Sequence, residues 1–168
     1  FIVILLSLLA IGDLIVGVSN DAVNFLNSAI GSKVFSFRKI MIFASVGILF
    51  GALSSSGMME VARKGIFNPG AFFFDEIIFI FMAVMMTDIL LLDFFNTIGL
   101  PTSTTVSIVF ELLGAAVVMA IIKIAKSDQL LSDLSTYINT EKATQIILGI
   151  LLSVFIAFSI GALVQWIS

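Results

Sequence analysis

Long apolar runs dominate the chain, and the places where they are interrupted carry most of the information. Residues 1–18 are almost wholly apolar, with Asp13 as the one charge, and after Ser19-Asn20-Asp21 the apolar character resumes over 22–30. Further runs occupy 40–59, 71–92, 103–124 and 143–167. A helix that crosses the hydrocarbon layer needs about 20 mainly apolar residues. The pattern therefore predicts about five spans, plus a re-entrant or broken segment near 19–31. The 40–59 run is rich in small residues, among them Ala44, Gly47, Gly51 and Ala52, which let helix backbones approach closely inside a bundle. Trp166 closes the last run where an interfacial aromatic is common. Residues 126–142 form the one long polar stretch and are read as an extramembrane loop. No internal repeat is visible, so residues 1–168 are expected to form a single transmembrane domain. The fold class is all-α: a multi-pass helical membrane protein with broken or re-entrant helices.

Composition strengthens that reading. Apolar residues make up 60% of the 168, against roughly 45–50% in soluble domains, and mean hydropathy is +1.23. Seventeen residues are Phe and only 11% are charged. The absence of Cys removes disulfides, thiol catalysis and Cys-based metal sites. The absence of His removes zinc clusters, Ser-His-Asp triads and imidazole relays. A net charge of −3 without a basic cluster argues against a nucleic-acid partner. Lys33, Arg38 and Lys39 precede the 40–59 run and Arg63 and Lys64 follow it, so the positive-inside rule gives no clean orientation. The chain opens at Phe1 already deep in an apolar run, which reads as a segment of a longer protein.

Two polar interruptions stand where lipid should forbid them. The first is Gly17-Val18-Ser19-Asn20-Asp21-Ala22-Val23-Asn24-Phe25-Leu26-Asn27-Ser28. An intramembrane Asp costs about 2.5–3.5 kcal/mol even on the gentler insertion scale, and such residues usually face a cavity or pathway. On a helix, Asn20, Asn24 and Asn27 share one face, and Asp13, seven before Asn20, could join it. Asp21 with amide and backbone oxygens is a hard-oxygen set suited to a small cation; the competing reading is an interhelical hydrogen-bond cluster. The second interruption is Gly99-Leu100-Pro101-Thr102-Ser103-Thr104-Thr105. Pro favours a helix start. The free N–H groups and dipole of the helix that follows, together with the row of hydroxyls, make an anion cradle without a cationic side chain. The competing reading is a plain N-cap. Thr104, Ser107 and Glu111 continue a polar stripe. Glu111, in mid-span, could carry a proton, ligate a cation or serve as a structural hydrogen-bond partner. Helix N-termini facing anions beside carboxylates holding cations is the layout of a coupled transporter.

The pair of interruptions resembles the inorganic phosphate transporter (PiT) family. That family carries a G-A-N-D-V-A-N-like signature followed by G-S, and later a G-L-P-V-S-T-T-H-like signature. Here they read Val18-Ser19-Asn20-Asp21-Ala22-Val23-Asn24 with Gly31-Ser32, and Gly99-Leu100-Pro101-Thr102-Ser103-Thr104-Thr105-Val106. Between them Glu60-Val61-Ala62-Arg63-Lys64-Gly65 is similar to a family segment ending in R-K-G. The resemblance runs from about Gly12 to Gly114. It implies a secondary active transporter of the cell membrane that imports inorganic phosphate with a Na⁺ or H⁺ gradient, needing no other cofactor. It implies that Ser103, Thr104 and Thr105, with Asn24, hold phosphate. Asp21 and Asn20 would take the coupling ion, as metal ligands if that ion is Na⁺, with Glu111 as a further cation-coupling candidate. Three departures stand out. Val18 replaces the Gly before Asn-Asp, with Gly17 displaced by one; Val106 replaces the terminal His; and Phe110 and Glu111 occupy positions that are usually small. The family builds its carrier from two inverted halves, so this chain looks like the N-terminal half. It is expected to need the second half, or another copy, to complete the transport site.

Other readings compete. Hydroxyls and N–H groups read shape and charge, so another tetrahedral oxyanion such as sulfate is the alternative substrate. Protonated phosphate donates a hydrogen bond, and Asp21 as acceptor would favour it over sulfate. An intramembrane enzyme is disfavoured, because no G-x-G-D motif accompanies the aspartates and no His base accompanies the serines. A structural membrane subunit, its polar groups serving only as glue between helices, is the remaining class.

Overall fold

The computed structural model describes residues 2–56, 65–127 and 133–167. Apolar runs without Pro become long helices, because in lipid every backbone polar group must be satisfied within its own segment. α1 (Ile2–Gly31) is one helix of 30 residues. It runs unbroken through Ser19–Ser28, so the broken or re-entrant segment expected near 19–31 is continuous helix instead. The physical reason is local: no Pro removes an N–H there, and the polar side chains find partners on another helix without unwinding their own. The chain turns only beyond Gly31, where Lys33 adopts φ 54°.

α2 (Phe37–Leu53) covers most of the expected 40–59 span in 17 residues; residues 57–59 lie outside the described ones, as does most of the Glu60–Gly65 segment with Arg63 and Lys64. α3 (Phe74–Ile98) and α4 (Thr104–Lys126) follow. A short helix, α5 (Leu134–Tyr137), leads into α6 (Thr140–Ile167). Among the described residues, α1, α3, α4 and α6 are long and apolar enough to cross a membrane.

α3 and α4 form an antiparallel pair. Gly99 ends α3 with φ 70°, its N–H reaching Asn96 O and the Leu100 N–H reaching Phe95 O; this left-handed cap is where Gly has no Cβ penalty. On α4, Leu112, Ala116, Ala120 and Ile124 recur every four residues on one buried face, opposite Ile80 and Val84 of α3. The two alanines allow the close approach. Far from the Gly99 turn, Phe67, Phe72, Phe81 and Tyr137 pack edge-on or tilted. Residues 66–68 exchange backbone hydrogen bonds with 137–139 over them, so part of the polar 126–142 stretch is docked onto the bundle. Lys123 Nζ donates to Glu76 Oε2 at 2.8 Å and to Ala71 O at 2.9 Å, and sits 4.2 Å from the Phe73 ring centroid. α1 lies against both α3 and α4. α6 buries only Ala143, so its apolar surface faces lipid or further protein.

Candidate functional site

The two interruptions, about 80 residues apart in sequence, meet in space. On α1, Gly17, Asn20, Asp21, Asn24 and Asn27 recur at helical spacing along one face, and this face meets the turn between α3 and α4. Asn20 is 1% exposed. Its Nδ2 donates to Thr102 O at 3.0 Å and to Thr104 Oγ1 at 3.2 Å. One turn on, Asn24 Nδ2 donates to the same Thr102 O at 2.7 Å. Thr104 Oγ1 in turn donates to Asp21 Oδ1 at 2.8 Å. Gly17 is buried against this contact: a Cβ built there would stand 3.4 Å from Thr104 Cγ2, at van der Waals distance. The displaced glycine of the motif thus faces the turn, while Val18 points outward.

Of the residues expected at the site, Asn20, Asp21, Asn24 and Thr104 are brought together. Ser103 and Thr105 are exposed on either side of Thr104. Ser103 Oγ accepts from Val106 N at 3.4 Å as N-cap of α4, leaving its hydroxyl proton free. The N–H groups of Thr104 and Thr105 have no partner among the described residues. Thr104, expected to donate to an anion, spends its hydroxyl proton on Asp21 instead. Beside this junction lies a cavity of about 490 Å³ lined by Ser19, Asn20, Asn24, Asn27, Asn96 and Pro101, among others. Asn96 joins this lining from outside both motifs. Its only signal in the sequence is an amide three residues before Gly99, on the same turn that closes α3.

The electrostatics follow from the helix end. The first turn of α4 presents unpaired N–H groups and the positive pole of its dipole, which favour an anion. Asp21 already brings one negative charge there. A phosphate or other oxyanion entering beside it is repelled unless a proton or cation stands between them. Protonated phosphate supplies that proton itself, as a P–OH donor to the carboxylate.

Glu111 does not join Asp21. It lies seven residues, roughly 10 Å, further along α4 from Thr104, where Ser107 Oγ donates to its Oε1 at 2.7 Å. Its carboxyl and that of Asp13 on α1 both stand within hydrogen-bonding reach of Asp88 on α3. Asp88 is 1% exposed, and among the described residues neither of its oxygens has a donor; Asp13 Oδ1 and Glu111 Oε2 are likewise buried without one there. Two like charges about 4 Å apart cost roughly 4 kcal/mol at an effective dielectric of 20, so three ionised carboxylates here would be strongly unfavourable. Neither Lys nor Arg among the described residues acts on Asp13 or Glu111. Among the described residues, no group of three or more acidic side chains is arranged to hold a metal ion.

The sequence profile of the phosphate transporter family matches residues 17–168. Over 149 residues the chain is 29% identical to a protein of Thermococcus kodakarensis named "putative phosphate permease", an alignment that covers 87% of this chain and 33% of that one. The chain thus spans about a third of the length of the curated relative it matches. No solved structure matches it. With four apolar helices of spanning length, the match makes this a multi-pass membrane protein.

Proposed function

The chain belongs to the phosphate transporter family, and from that premise we propose that it forms part of a secondary carrier that imports inorganic phosphate, driven by a Na⁺ or H⁺ gradient. Membership in a transporter family implies transport and not catalysis. The observation that carries the proposal is the hydrogen bond from Thr104 to Asp21, which couples the hydroxyl-lined start of α4 to the carboxylate of α1. Phosphate is held by the Thr104 and Thr105 N–H groups and the Ser103 and Thr105 hydroxyls, with Asn24 at the edge. The Thr104 hydroxyl turns from Asp21 to the anion on binding.

The coupling ion neutralises Asp21, either as a proton shared with phosphate or as Na⁺ held by the Asp21 carboxylate and the Asn20 amide oxygen. Neither side of such an exchange needs a Lys or Arg, which would be costly at this depth. The remaining part of a complete site comes from the second half of the carrier or another copy of the chain; the exposed apolar length of α6 supports such a neighbour. The test is uptake of labelled inorganic phosphate by the full-length protein in liposomes, with the Na⁺ and pH gradients imposed separately and with sulfate as competitor. Asp21→Asn is expected to express normally and lose gradient-driven uptake. Parent-like uptake by this variant, or equal competition by sulfate, refutes the assignment of Asp21 as coupling and substrate-selecting group.

A further inference from the structure

The carboxyl cluster of Asp13, Asp88 and Glu111 is left unused by the phosphate site, and its geometry is hard to reconcile with a purely structural role. A structural polar cluster in a membrane bundle pairs donors with acceptors. Here three acceptors from three helices converge, and among the described residues the side-chain donor to them is the Ser107 hydroxyl on Glu111 Oε1. Asp88 is the centre: fully buried, at least ten residues from either end of α3, with no donor to either oxygen among the described residues and its carboxyl within reach of both Asp13 and Glu111. Glu111 also lines a cavity of about 620 Å³ between α3 and α4, together with Thr87, Gly114 and Ala115, so the cluster is not sealed.

We infer that Asp13, Asp88 and Glu111 form a proton-binding site, separate from Asp21, whose protons are shared across the Asp13–Asp88 and Asp88–Glu111 contacts. The inference rests on the carrier reading for its role, since it names the proton as a coupling ion and gives it a place. Charge and shape favour protons over a metal cation. One proton at each of the two contacts turns an acceptor–acceptor clash into a donated hydrogen bond, because a protonated carboxyl supplies one O–H. A single Na⁺ would leave two net negative charges in the middle of the bundle, and the three side chains are not arranged around a common point that could hold it. The titratable groups facing one another are Asp13 from α1, Asp88 from α3 and Glu111 from α4, with Ser107 as neutral donor.

The site is positioned to act on the phosphate site through the helices themselves. Asp13 lies two turns from Asn20 on the same face of α1, and Glu111 two turns from Thr104 on α4. Loss of the shared protons would drive α1, α3 and α4 apart at this level, while the Asn20–Thr102 and Thr104–Asp21 contacts hold α1 to α4 above it. Protonation thereby favours the packed arrangement of these helices seen in the structure.

The test uses the full-length protein in liposomes and has two arms. Infrared titration of the parent, in water and in D₂O, is expected to show a protonated-carboxyl stretch at neutral pH that is missing from Asp88→Asn. Uptake of inorganic phosphate driven by a pH gradient is expected to fall about tenfold or more in Asp88→Asn, while equilibrium binding of phosphate stays within about threefold of the parent, as for a coupling group outside the binding site. Should Asp88→Asn fail to fold, Glu111→Gln and the infrared spectrum of the parent carry the same test. Absence of the carboxyl band at neutral pH overturns the inference, as does its disappearance on adding Na⁺ at fixed pH or undiminished pH-driven uptake by a folded variant. A parent that binds no phosphate would instead defeat the carrier reading, with the infrared arm still judging the cluster.

Discussion

Thr104→Val separates a transport site from a structural joint, because valine keeps the shape of threonine and removes only its hydroxyl. In the structure that hydroxyl donates to Asp21 Oδ1 at 2.8 Å and accepts from Asn20 Nδ2 at 3.2 Å. A hydrogen bond to a charged group contributes about 1.5–3 kcal/mol, and the exposure of Asp21 places this one at the lower end. Asn20 keeps Thr102 O as a partner at 3.0 Å but its second amide N–H loses Thr104 Oγ1, so the fold should lose about 1–2 kcal/mol, with a modest fall in Tm. If the same hydroxyl turns to phosphate in the loaded state, a loss of about 1.5 kcal/mol becomes roughly a tenfold drop in phosphate affinity. Thr104→Ser, which restores the hydroxyl without the methyl, should recover most of it. The assay is initial phosphate uptake by the full-length carrier in liposomes, paired with thermal unfolding in detergent. Refutation would be the opposite pattern: a clear fall in Tm with uptake and affinity unchanged, the signature of a side chain that only joins α1 to α4.

Two further outcomes follow from the packing. Asn20→Ala removes a 1%-exposed amide that serves both Thr102 O and Thr104 Oγ1; Thr102 O keeps Asn24 Nδ2, and the two lost bonds should cost about 1–3 kcal/mol, read as a lower Tm and a weaker yield as well as lost uptake. Lys123→Met keeps the aliphatic stem but deletes the ion pair to Glu76 and the bond to Ala71 O, both groups of the pair being only about 20% exposed. It should cost about 1–3 kcal/mol of stability and leave the phosphate affinity of the folded carrier unchanged, since the pair lies at the end of α3 and α4 remote from Thr104.

Much of the site was legible in the chain because membrane physics makes polar residues conspicuous. Asn20, Asn24 and Asn27 had to share a face by helical spacing alone, and Asp13, seven residues earlier, was in register with them. Pro101 followed by a row of hydroxyls marked the start of α4. Two features were not legible. The expected break in α1 did not form, since polarity of side chains does not by itself disturb backbone hydrogen bonds when a neighbouring helix supplies partners. Glu111 stood out by its chemistry alone, and its neighbour was not readable: the pitch of α4 carries it two turns from Thr104, within reach of Asp88.

By itself, then, the sequence determined an all-α membrane protein, the start of α4, and which side chains were too costly to be idle in lipid. Periodicity and transfer free energy are local properties, and each can be read one segment at a time. The tertiary structure alone decided the pairings: that the Asn20–Asn24 face of α1 meets the Thr102–Thr104 turn, and that Asp13, Asp88 and Glu111 converge from three helices. Such pairings depend on how the helices rotate and slide against one another, which small buried residues such as Ala116 and Ala120 help to set by controlling how closely they approach. One strand of residues cannot state that relation, because it belongs to the contacts between helices.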